Sequence, residues 1–163
     1  MKLKHAIFYS LVLVMSLGSN RWANATLAGT AATIDTDRQA LKAVHRATTP
    51  HTGYTVQEIA SDAVAVREYL SISGVVFAVS WAGNVQPDLT QLFGSYWAEY
   101  SAAEQKVARE FGHRRRHVAT NNIVVETWGH MRNLRGLAYV PSLVPPGVSI
   151  GKIQQSETAT RIP

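Results

Sequence analysis

The sequence predicts an α+β fold: an antiparallel sheet of about five strands packed on one long amphipathic helix, in the order β-β-β-α-β-β, with flexible termini. Three observations carry this expectation. Short runs rich in Val, Ile, Tyr and Trp, bounded by turn residues, lie on both sides of the chain's centre. Between them runs one stretch with apolar residues at helical spacing. No stretch reaches the ~20 apolar residues that a bilayer-spanning helix needs, so the apolar faces must cover one another.

The elements follow in order. Tyr54-Thr55-Val56-Gln57-Glu58-Ile59 alternates and reads as a strand. A second covers residues 64–72, with Val64, Val66, Leu70 and Ile72 on one face and Glu68 interrupting it. Ser73-Gly74 turns the chain into a third strand, Val75-Val76-Phe77-Ala78-Val79-Ser80-Trp81, apolar on both faces and therefore central. Pro87 or Asp88 starts the helix, since Pro suits the first turn and Asp its positive end. Leu89, Leu92, Phe93, Tyr96, Tyr100, Ala103 and Val107 form its stripe, which carries it to about Glu110. Gly112 closes the helix, and His113-Arg114-Arg115-Arg116-His117 follows as a basic loop. Residues 123–128 make the fourth strand, Gly129-His130-Met131-Arg132-Asn133 a turn, and residues 134–140 the fifth strand, ended by Pro141.

The domain reading is a signal peptide over residues 1–25, a poorly ordered segment with a short helix over 26–53, an α+β core over 54–144, and a loose tail over 145–163. The leader has the expected parts in order: basic Lys2 and Lys4, an uncharged apolar run over residues 6–17, and the small residues Ala23 and Ala25 before the cut. The apolar run is too short to span a hydrocarbon core. The chain has no cysteine, which closes lipid anchoring and disulfides and leaves stability to packing. The expected product is exported, periplasmic or extracellular, with no transmembrane segment after cleavage. The full chain carries 16 Lys and Arg against 11 Asp and Glu. Lys2, Lys4 and Arg21 leave with the leader, so the remainder has 13 against 11, a net +2. The basic balance is therefore largely a property of the leader, and no nucleic-acid partner is expected.

Several motifs combine into a resemblance. They are Val66-Arg67-Glu68-Tyr69, residues 74–83, Pro87-Asp88-Leu89, Leu92-Phe93-Gly94-Ser95-Tyr96, Val125-Glu126, Gly129-His130-Met131-Arg132, Gly136-Leu137-Ala138-Tyr139 and Pro141-Ser142. Together they resemble the exported proteobacterial family of uncharacterised proteins called domain of unknown function 2844, over about residues 28–153. Trp128 stands before Gly129 where members tend to carry a second glycine nearby. The resemblance implies export and a single domain; it implies no activity.

The chemistry-bearing candidates are few. Glu126 and His130, near a hairpin tip, are a carboxylate–imidazole pair suited to acid–base work, with Glu68 as a second carboxylate inside an apolar strand. No nucleophile elbow accompanies them. His113 and His117 are a metal alternative, opposed by the three arginines between them, which repel a cation. No cofactor motif is read. Arg114, Arg115 and Arg116 form a candidate anion patch. Trp97 and Trp128 are the aromatics best placed for exposure, and Arg132 or Arg135 is a partner for Glu68 or Glu126. The leading reading is a non-enzymatic binding or accessory protein of the cell envelope, contacting a protein, a glycan or an anionic surface. The alternative is a hydrolase-like enzyme using Glu126 and His130, with or without a metal. The two separate on geometry: an enzyme needs those residues converged in a pocket, whereas a binding module needs an exposed patch around Trp97, Trp128 or the arginines.

Overall fold

The computed structural model describes residues 27–30, 35, 38–39, 42–107 and 115–159. The leader over 1–25, the last residues of the expected long helix, and His113 and Arg114 lie outside the described residues.

The described fold is α+β, built on a seven-stranded, fully antiparallel sheet. The strands are β1 (Val44–His51), β2 (Tyr54–Ala60), β3 (Val64–Ser71), β4 (Val76–Gly83), β5 (Arg115–Ala119), β6 (Val124–His130) and β7 (Asn133–Tyr139). Their spatial order is β1-β2-β3-β4-β7-β6-β5. β4 and β7 are central, as the near-complete burial of β4 requires. The helices are α1 (Leu89–Phe93), α2 (Trp97–Lys106) and α3 (Ile150–Ala159), with 3-10 turns at Gly94–Tyr96 and Pro141–Leu143. Among the described residues no helix is long and apolar enough to cross a membrane.

Two strands exceed the expected five, and each was hidden for a physical reason. β1 falls in the segment expected to be poorly ordered with a short helix. All eight of its residues are exposed, so it shows no apolar alternation. β5 falls on the expected basic loop and buries only Val118.

The helical region departs as well. The stripe over residues 89–107 is real, but two α-helices carry it. Asp88 caps α1, its carboxylate accepting from the amides of Thr90 at 2.9 Å and Gln91 at 3.4 Å. Gly94 then adopts φ 46°, in the left-handed region that favours glycine, and the chain restarts after a 3-10 turn. α2 stops at Lys106, with Val107 extended.

The described residues nearest each end make contacts with the fold. Leu27 is buried, and Ala28 and Gly29 exchange backbone hydrogen bonds of 2.8 and 2.9 Å with Val76. The expected loose tail contains α3. Ile72, expected on the inner face of β3, lies 89% exposed in the β3–β4 turn.

The sheet is covered on both faces. On one, Val66, Val79, Trp81, Val118 and Val125 pack with Leu92, Phe93 and Tyr100 of α1 and α2. Phe93 sits at the focus, 6.0 Å from the Trp81 ring and edge-on to Tyr100 at 5.1 Å. Gly136 admits Trp81: a Cβ there would lie 2.0 Å from the indole. On the other face, Val56, Tyr69, Phe77 and Leu137 pack with Ile153 of α3.

Candidate functional site

Antiparallel register decides which side chains share a face. Partnered positions give an unbroken row across all seven strands: Val44, Ala60, Ala65, Ala82, Arg135, Trp128 and Arg115. At about 4.8 Å per strand it spans about 29 Å. The neighbouring row on the same face, starting at β2, is Glu58, Arg67, Ser80, Leu137, Glu126 and His117. Both belong to the α3 face.

α3 is tied to this face by charge. Of its ten residues only Ile153 and Glu157 are buried. The Glu157 carboxylate accepts from Arg67 Nη1 at 2.9 Å and from the Tyr69 hydroxyl at 2.5 Å. Arg67 Nε also donates to Glu58 at 2.6 Å. Arg135 donates to the Glu157 carbonyl and, through Nε, to Asn133 Oδ1 at 2.9 Å. Burial works to lower the Arg67 pKa, but Glu157 and Glu58 outweigh it and hold the guanidinium charged. Burial, then the Glu157 charge, pushes the Tyr69 hydroxyl far above the ordinary tyrosine range.

Two clefts of about 380 Å³ each meet at Arg135. The first is floored by Ala60, Ala65 and Ala82 and walled by Arg46, Arg67 and Arg135 against Glu58, Asp62 and Glu157. Its charges are balanced, and Arg67 already answers both glutamates. The second is lined by Arg115, Arg116, His130 and Arg135 with Trp81, Trp128 and Gln86, and among the described residues no acidic one lines it. The Arg115 guanidinium lies 5.8 Å over the Trp128 ring. Arg115 forms no ion pair among the described residues. Arg116, one position on, belongs to the opposite face and meets Glu104 of α2 at 3.1 Å. The strand thus divides the arginine run, sending one cation to each side.

The structure brings together Arg115, Trp128 and His130, with Arg132 in the adjoining turn and Arg116 on the opposite face of the same strand. It does not bring Glu126 to His130. They lie four residues apart on β6, and the Glu126 carboxylate meets Gln154 and, at 3.5 Å, His117 Nδ1. The His130 ring contacts the Met131 carbonyl at 3.0 Å. Glu68 is fully buried on the helix-covered face, so it shares no space with either. Arg135 donates to the Glu157 carbonyl and to Asn133. Trp97 lies on α2, its ring 5.8 Å from Tyr100, away from Trp128. Among the described residues no three His, Asp or Glu side chains group to hold a metal ion. Glu157 was not singled out from sequence, and Arg135 was read only as a partner for Glu68 or Glu126. The inward charge of Arg135 within an apolar run was the available signal.

A family model described as Protein of unknown function (DUF2844) matches residues 23–153. No curated protein and no solved structure matches the chain.

Proposed function

The chain belongs to the DUF2844 family, and from its geometry we propose a non-enzymatic binding module of the cell envelope, exported through the leader in residues 1–25, whose recognition site is the basic cleft at Trp128. One observation carries this reading: Arg115, Arg135, His130 and the Trp128 indole line a cleft together with Arg116 and Trp81, and among the described residues no carboxylate lines it. A low-dielectric wall lined by cations raises the local concentration of anions. Arginine suits carboxylate and phosphate oxygens because its planar fork presents paired donors. Trp128 stiffens the site by carrying the Arg115 guanidinium on its face.

A hydrolytic role gains no support from this arrangement. The carboxylate nearest to His130 in sequence is engaged by His117 and Gln154 instead.

Titration calorimetry with pyrophosphate on the purified protein tests the reading. Binding is expected, weakening as salt rises because the contacts are partly solvated. The double substitution Arg115→Ala and Trp128→Ala is expected to lower the affinity at least about tenfold, the loss of one charge-assisted contact and its support. Equal binding by the wild type and the double variant would refute it.

A further inference from the structure

The β6–β7 turn beside the basic cleft has a composition that its geometry does not favour. His130 pairs with Asn133, leaving Met131 and Arg132 as a two-residue tip. Such tips favour Gly, Asn or Asp, because part of the turn needs positive φ. Here Arg132 takes φ 65°, an unfavourable region for a residue with a long side chain. Met131 is 88% exposed, an apolar side chain held out at the apex. Gly129, just before the tip, shows how tightly the hairpin closes, since a Cβ there would lie 2.0 Å from the Asn133 carbonyl oxygen. Strain and an exposed hydrophobe at one apex are local costs that call for a functional account.

Resting on the anion-binding reading, we infer that this end of the sheet docks on an anionic lipid surface, with Met131 entering the headgroup layer and Arg115, His130 and Arg132 around it meeting lipid phosphates. The charge pattern is complementary: Arg132 follows the apolar tip, Arg115 lies over Trp128 in the adjoining cleft, and among the described residues no acidic one lines that cleft. Amphipathic side chains of this kind, with an apolar stem and a charged or polar end, suit a membrane interface. A protein partner fits less well. Specific protein interfaces need about 800 Å² on each side, and Met131 is a single apolar point. Ile72, comparably exposed, sits in the turn at the other end of β3 and β4 and adds nothing to this patch.

The test is flotation of the full chain with vesicles of mixed phosphatidylglycerol and phosphatidylcholine, beside vesicles of phosphatidylcholine alone and calorimetry with pyrophosphate. The wild type is expected to bind the anionic vesicles, to ignore the neutral ones, and to release as salt rises. Met131→Ser is expected to cut vesicle binding about tenfold, the loss of one partly buried side chain, while keeping its affinity for pyrophosphate. Arg132→Ala is expected to cut it roughly fivefold. Ile72→Ser, remote from the tip, is expected to leave it unchanged. Vesicle binding that survives Met131→Ser, or pyrophosphate binding with no vesicle binding, overturns the membrane inference and leaves the anion site standing. Binding to neither overturns both.

Discussion

Under α1 and α2 the sheet presents Val66, Val79, Trp81 and Val125 to Leu92, Phe93 and Tyr100, whereas under α3 it presents Arg67, Tyr69 and Arg135 to Glu157. The first contact is non-directional, and its strength grows with apolar area. The second is directional, fixing the α3 backbone through a few atoms and standing beside a part of the face that remains open. The difference assigns roles: one face supplies stability, and the other positions charges next to the clefts.

The largest effect is expected on the apolar face. Phe93→Ala removes a fully buried ring with two aromatic neighbours and should cost about 3–5 kcal/mol, read as a shift of the denaturant midpoint. On the charged face, Glu157→Ala should cost less, about 2 kcal/mol. Arg67 keeps Glu58 and is partly solvated, so its charge is not stranded. A loss at Glu157 that matched the loss at Phe93 would erase the distinction between the faces.

A smaller effect appears with pH on both faces. Burial, then Glu104, pushes the Tyr100 hydroxyl up to about 12, with Arg116 opposing. Its folded pKa lies above the unfolded value of about 10. Its contribution is therefore fully present below pH ~10 and is lost as pH rises from there to about 12. Tyr69 behaves likewise, with its loss extending to higher pH. Ultraviolet absorbance should show both tyrosines resisting ionisation until the fold opens. Tyr100→Phe should flatten the stability profile between pH ~10 and 12.

Legibility from sequence divides along the same line. β2, β3, β4, β6 and β7, the Asp88 start of the helix and the apolar stripe were all readable, because burial on the helix-covered face imposes periodicity on residues such as Val66, Leu92 and Val125. Where burial is absent or polar, the pattern fails. β1 is bare on both sides, β5 carries Arg115, Arg116 and His117, and α3 turns Glu157 inward instead of an aliphatic residue. The break at Gly94 was masked by an apolar stripe that continues across it. At the site, Trp128, Arg115, Arg116 and Arg132 were visible as residue types. Their assembly with Arg135 depends on register across β5, β6 and β7, which no local window contains. The Glu126–His130 pairing looked attractive because the residues are close in sequence, but four positions along an extended strand span about 13 Å.

The central claim is that the basic cleft at Trp128 is the recognition site. The most direct measurement is a ¹H–¹⁵N nuclear magnetic resonance titration of the full chain with pyrophosphate, following the tryptophan indole signals. The account predicts that the Trp128 indole and the amides around Arg115 and His130 shift with a single saturating curve, while the Trp97 indole on α2 stays in place. A fixed Trp128 signal, or shifts centred on Trp97 and α2, would contradict it.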